Sequence, residues 1–203
     1  MTVHIRQVGE PVLRQRARLL TVEEIRSDPI QRLIEHMRDT MRQAPGVGLA
    51  APQIGQPLRL AVIEDREEYL QGVAPATLQE RERTAVPFHV IINPRLTVLQ
   101  AAPAVFFEGC LSLDGFAALV PRALAVRVDA LNEGGEPVVI QARGWYARIL
   151  QHEIDHLNGT LYIDRMLSRS FMSADNLTKH WANKTLSHLQ AALDLPDLGP
   201  PCA

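Results

Sequence analysis

Two histidines four residues apart, in His152-Glu153-Ile154-Asp155-His156, constrain this chain more than any other feature. On an α-helix, positions i and i+4 lie one above the other on one face, so both imidazoles reach a single metal ion only if the segment is helical. Tyr146, Ile149 and Leu150 upstream supply an apolar face. That pattern predicts a helix from Trp145 to Leu157, packed inside the molecule. Glu153 follows the first histidine and can face a water held by the metal. A divalent ion lowers the pKa of such a water to about 7, and the carboxylate then takes its proton. These are the parts needed to attack an unactivated amide carbonyl.

A hydrolytic centre of this kind usually has three protein ligands and an open position. No His or Glu stands in an obvious place downstream, where the chain reads Thr160-Leu161-Tyr162-Ile163-Asp164. The candidate third ligand lies upstream, in Glu108-Gly109-Cys110-Leu111-Ser112. A thiolate is a strong ligand for zinc or ferrous iron. Taken alone, Cys110 reads as a small buried hydrophobe. Beside a two-histidine helix short of one ligand, the metal reading takes precedence.

The surrounding chain is that of an ordinary globular domain. Of its 203 residues, 46% are hydrophobic and 22% charged, enough for one buried core. The net charge of −2 argues against the extended basic face of a nucleic-acid binder, so no direct nucleic-acid binding is expected. No stretch approaches the roughly 20 apolar residues of a membrane span. The start, Met1-Thr2-Val3-His4-Ile5-Arg6, lacks the pattern of a signal peptide. A cytoplasmic setting is expected, or an organelle if a transit segment has been removed. The two cysteines, Cys110 and Cys202, do not read as a disulfide pair, which fits a reducing compartment.

Along the chain, Pro11-Val12-Leu13 predicts a short helical turn, and Asp28-Pro29 an N-cap with proline behind it. Ile30, Leu33, Ile34, Met37 and Met41 recur at helical spacing, with the methionines read as core, until Pro45-Gly46. Strands are predicted over 58–63 and 88–92, the latter closed by Asn93-Pro94, with a surface insertion at 64–87 between them. Residues 96–106 and 118–143 are β-rich, with a hairpin turn at Asn132-Glu133-Gly134-Gly135. Ser173-Ala174-Asp175 predicts the cap of a final helix running toward Leu189. The expected organisation is one domain over 1–190 and a flexible tail over 191–203. Its class is α+β, mostly antiparallel sheets packed around a central metal-binding helix.

Three motifs in this order resemble those of the peptide deformylases: Gly46-Val47-Gly48-Leu49-Ala50-Ala51-Pro52-Gln53, Glu108-Gly109-Cys110-Leu111-Ser112, and His152-Glu153-Ile154-Asp155-His156. The likeness runs from about Val8 to about Phe171. Asp114-Gly115-Phe116, Val120-Pro121-Arg122, Gly144-Trp145-Tyr146-Ala147-Arg148 and Ser168-Arg169-Ser170-Phe171 are similar to the mitochondrial and plant-organelle branch and its bacterial relatives.

The resemblance implies an enzyme that removes the formyl group from N-formylmethionyl nascent polypeptides, at the ribosome. It implies that Cys110, His152 and His156 hold the metal. Ferrous iron would be the native ion, with zinc, nickel or cobalt in preparations. Glu153 would be the general acid and base, and Gln53 with the backbone N–H of Leu111 the oxyanion donors. Val47, Gly48 and Gly109 would pair with the substrate peptide, and Glu108 and Arg122 would form a supporting ion pair. Tyr146 and Ile149, with Leu150 and the strand near Phe106-Phe107, are the expected lining of the methionine pocket. Two alternatives share part of this pattern. A zincin-type peptidase would keep its metal in Cys110→Ser, and a catalytically silent homologue would bind formylated peptides without turnover.

Overall fold

In the computed structural model, residues 3–182 and 184–196 are described. The elements are α1 (Val22–Ile25), α2 (Asp28–Gln43), β1 (Gly48–Ala50), β2 (Leu60–Asp65), α3 (Glu67–Leu70), α4 (Pro75–Glu80), β3 (Val86–Cys110), β4 (Leu113–Leu131), β5 (Pro137–Arg143), α5 (Gly144–Leu157), β6 (Met172–Ser173), α6 (Ala174–Asn176) and α7 (Leu186–Leu193). The sheet order is β1-β2-β3-β4-β5, with β6 added to β4, and every pairing between named strands is antiparallel.

The sheet has two buried faces where it matters most. Leu60 and Val62 on β2, with Val90 and Ile92 on β3, pack against Ile34, Met37 and Met41 of α2. The alternate residues Ala61, Ile63 and Ile91 pack against Ile149, Leu150, Ile154 and Leu157 of α5. A strand covered on both sides reads as a continuous apolar run rather than an alternation, which is why 60–63 is Leu-Ala-Val-Ile. Each fully buried aliphatic side chain stabilises the fold by roughly 1.5–3 kcal/mol. The histidine-bearing helix is thus fixed by its own apolar face.

Several boundaries differ from those predicted. Ser27, not Asp28, occupies the N-cap of α2, and Asp28 opens the helix. Asn93-Pro94 does not end a strand: β3 runs on to Cys110, with a register shift between Ile92 and Arg95. Asn93 adopts φ of +53°, a conformation Asn tolerates, and its side chain ties both backbone groups of Leu20 at 2.8 and 3.0 Å. The surface insertion expected over 64–87 is shorter than that span and carries helices of its own. The ends of the span belong to β2 and β3, and its middle folds as α3 and α4.

The single final helix is divided. Ser173 caps only α6, accepting from Asn176 N–H, a wide π-type turn follows over Leu177–Trp181, and Thr185 caps α7. The chain stays packed beyond 190, since α7 reaches Leu193, and Leu193 and Leu195 lie against the cluster of Val105, Leu119 and Leu189. Residues 197–203 of the expected tail, with Cys202, lie outside the described residues.

Candidate metal centre and substrate pocket

The β3–β4 hairpin turns through Leu111-Ser112, with Cys110 opposite Leu113. This places the thiol at the hairpin tip, against α5. The ligand atoms of Cys110, His152 and His156 all lie within 4.8 Å of one another, and Cys110 Sγ is 3.3 Å from His156 Nε2. One sulfur and two imidazole nitrogens suit zinc or iron. Burial pushes the pKa of His156 well below its ordinary value, which keeps the ring neutral, the form that ligates. Its Nδ1 is buried without a hydrogen-bond partner. For His152, burial alone would lower the pKa, but hydrogen bonds with Cys110 and Glu108 outweigh it and raise it. The donor set fits a metal on these grounds.

Glu108 anchors the centre from below. Its carboxylate accepts two bonds of 2.9 Å from Arg122, one of 2.6 Å from Arg148, and lies 3.0 Å from His152 Nδ1. Burial would raise its pKa, yet the hydrogen bonds from His152 and Arg122 hold it well below the usual carboxylate range. With Nδ1 occupied by a carboxylate, His152 presents Nε2 to the cluster, the orientation such second partners impose on metal-binding histidines. Arg122 continues to Asp155, which also accepts from Arg165 at 2.6 and 2.8 Å. Asp155, without an assignable partner in the sequence, is thereby the link between α5 and the chain beyond it.

Glu153 is 3% exposed, and its Oε2 has no partner. Burial pushes its pKa up to about 7. It lies against Gly48, where a Cβ would stand 2.2 Å from Glu153 Oε1, so only glycine allows the approach. Gln53 is oriented by its neighbours. Its Oε1 accepts from Ala50 N–H at 2.8 Å, which turns Nε2 toward Ser112 Oγ at 3.2 Å and Cys110 Sγ at 3.5 Å.

A cavity of about 460 Å³ opens beside these groups. Val47, Gly48, Gln53, Gly109, Leu111, Ile149, His152 and Glu153 all line it. Tyr146 does not. Its ring meets His89 edge-on at 5.6 Å, with the hydroxyl 2.9 Å from His89 Nε2. Leu150 is fully buried in the core, and Phe106 stands behind the wall against Trp145. The wall is instead made by Trp145, Arg148 and Ile149 from α5, Phe107 from β3, and Arg81 from the segment after α4. Trp145, Ile149 and His152 are one helical stripe, so counting back from His152 by threes and fours would have found the tryptophan. No sequence signal pointed to Arg81. Phe116, 44% exposed and stacked on Phe171 at 5.1 Å, forms the rim.

A model of the polypeptide deformylase family matches residues 2–171. The chain is 49% identical over 171 residues to chloroplastic peptide deformylase 1A of Solanum lycopersicum, covering 84% of this chain and 62% of that protein. It is 46% identical over 192 residues to the chloroplastic/mitochondrial peptide deformylase 1A of Arabidopsis thaliana, covering 95% and 68% respectively. It therefore spans about two thirds of the length of these plant relatives. Among solved structures, the class I type b peptide deformylase of Acinetobacter baumannii bound to Met-Ala-Ser superposes with a TM-score of 0.72 at 30% identity, over 82% of this chain and 99% of that one. Matched by the family model over most of its length and by relatives at these identities, the chain belongs to the polypeptide deformylase family.

Proposed function

We propose that this protein is a metal-dependent hydrolase that removes the N-formyl group from N-formylmethionyl nascent polypeptides and releases formate. The observation that carries the reading is the convergence of Cys110, His152 and His156 on one point beside the buried Glu153 and Gln53, at the end of a single pocket. The relative from A. baumannii, which carries Met-Ala-Ser in its structure, supports a peptide with N-terminal methionine as the occupant.

Cys110, His152 and His156 would hold the ion, ferrous iron in the cell and zinc, nickel or cobalt in preparations. When bound, the ion polarises the formyl carbonyl and the attacking water as a Lewis acid. Glu153, poised near neutral pH by burial, takes a proton from that water and returns it to the departing amine. Gln53 Nε2 and the backbone N–H of Leu111 receive the oxyanion. Donors preset in this way are worth roughly 3 kcal/mol each. Val47 and Gly48, at the β1 edge of the sheet, and Gly109 bind the peptide backbone as an added strand. Ile149, Trp145 and Phe107 receive the methionine side chain. The substrate sets the place of action: the ribosome, in a bacterial cytoplasm or an organelle.

The test is formate release from formyl-Met-Ala-Ser by anaerobically prepared, iron-loaded protein. The parent turns over, and Glu153→Ala, folded and metal-loaded, loses at least about a thousand-fold, the upper range for one acid–base group together with its positioning. Absence of release by a folded, loaded parent would remove the activity and leave a silent binding protein.

A further inference from the structure

Residues 66–85 leave the sheet after β2 and return at β3, and their last turn is fastened to the start of α5. The carbonyl of Arg81 accepts the N–H of Trp145 at 2.8 Å. Gly144 passes beneath this turn with φ of +59°, and a Cβ there would stand 2.5 Å from Glu82 Cβ and 2.7 Å from Arg81 O. Glu82 pairs with Arg143 at 2.7 Å, and Arg83 pairs with Asp65 through two bonds of 2.8 Å. Arg81 has no such use for its charge. Its guanidinium makes no hydrogen bond or ion pair among the described residues, and its Nε is buried without a partner. It lies 4.9 Å from the Trp145 ring centre and 5.5 Å from that of Phe106.

This cation lines the same pocket as the metal cluster. Trp145 precedes His152 by seven residues, about 10.5 Å along the helix axis. A formyl group at the cluster and an extended methionine side chain together span roughly 9 Å, from bonds near 1.5 Å. The thioether sulfur, one bond short of that end, is therefore carried toward Trp145 and Arg81, which line the same cavity. The donors of Arg148 are spent there on Glu108, on Val120 O and on Ala104 O. The donors buried there without a partner are Nε of Arg81 and Nε1 of Trp145.

We infer that Arg81 is a specificity-determining residue, which closes the far end of the side-chain pocket with a cationic plane and offers N–H donors to the methionine sulfur. A thioether is a polarisable, weak acceptor. The methylene that replaces it in norleucine is neither, although the two side chains have nearly the same shape. Burial alone favours norleucine, because its methylene is the more apolar group. Any preference for methionine must then come from a partner for the sulfur. The inference rests on the deformylase reading for the identity of the pocket's occupant.

The test compares the affinities of Met-Ala-Ser and norleucine-Ala-Ser for the metal-loaded protein by titration calorimetry, with formate release measured on the same preparations. The parent is expected to prefer the methionine peptide. In Arg81→Met the preference falls about three- to ten-fold, the size of one weak hydrogen bond. Arg81→Lys, which keeps a donor, retains part of it. An unchanged ratio in Arg81→Met, with both affinities falling together, makes Arg81 a mere wall and overturns the inference. A parent that releases formate yet binds norleucine as tightly as methionine overturns it without any variant. A parent that releases no formate and binds neither peptide removes the deformylase reading and Arg81's role with it.

Discussion

A single absent methyl group sets the position of Glu153. Its carboxylate occupies the space that any side chain at position 48 would need, with 2.2 Å between the would-be Cβ and Oε1. Gly48→Ala is therefore expected to fold but to push Glu153 out of place. A shift of about 1 Å costs on the order of 100-fold in turnover. Formate release measured beside thermal unfolding checks this, since a loss of stability without loss of kcat would place the conflict elsewhere. Arg122 joins Glu108 to Asp155, with all three nearly inaccessible to water. Removing one partner of a buried pair leaves the others partly unpaired, at a cost of about 3–5 kcal/mol. Arg122→Met should lose stability of that order in a denaturant titration, and a loss below about 1 kcal/mol would mean that Arg148 and Arg165 suffice. The Glu108–Arg122 pair was legible through resemblance alone. Arg148 and Arg165 were not assigned, because nothing local tells which charges a hairpin and a helix bring together.

At the scale of elements, α5 was legible almost to the residue, because its two histidines and its apolar stripe demand the same period. Tyr146, expected in the methionine pocket, sits one helical step away from the face that His152 defines and does not line the cavity. The structure gives it another task, against His89 on β3. That contact has a consequence for stability. Burial lowers the pKa of His89 below its ordinary 6.5, more than its hydrogen bond to Pro87 O raises it. A histidine with a depressed pKa in the fold is protonated first in the unfolded chain. Its contribution to stability is then complete above 6.5 and is lost as the pH falls below that value. Chemical unfolding at about pH 7.5 and about pH 5.5 should show a smaller drop in His89→Asn than in the parent. An equal drop would assign the effect to other groups. Asn93-Pro94 and the divided final helix show the opposite limit. A turn signal inside a long strand and a cap followed by a wide turn are both set by distant partners, Leu20 in the first case and the Val105–Leu119 cluster in the second.

For the molecule as a whole, the ligands and the acid–base group were legible because they are rare residue types at fixed spacing, and the core because α2 and α5 carry apolar stripes at helical spacing and β2 a continuous apolar run between them. The pocket wall was not legible, because it is assembled from α5, β3 and the segment after α4 across long separations. The same separation bears on how the protein is made. Cys110 at the hairpin tip and His156 are 46 residues apart, with the whole of β4, β5 and most of α5 between them. At a synthesis rate of about 5–20 residues per second, the thiol precedes the last imidazole-bearing ligand by roughly 2–9 s. Until His156 is made, the emerging chain cannot present all three ligands to one ion, so the centre forms only once both the β3–β4 hairpin and α5 exist.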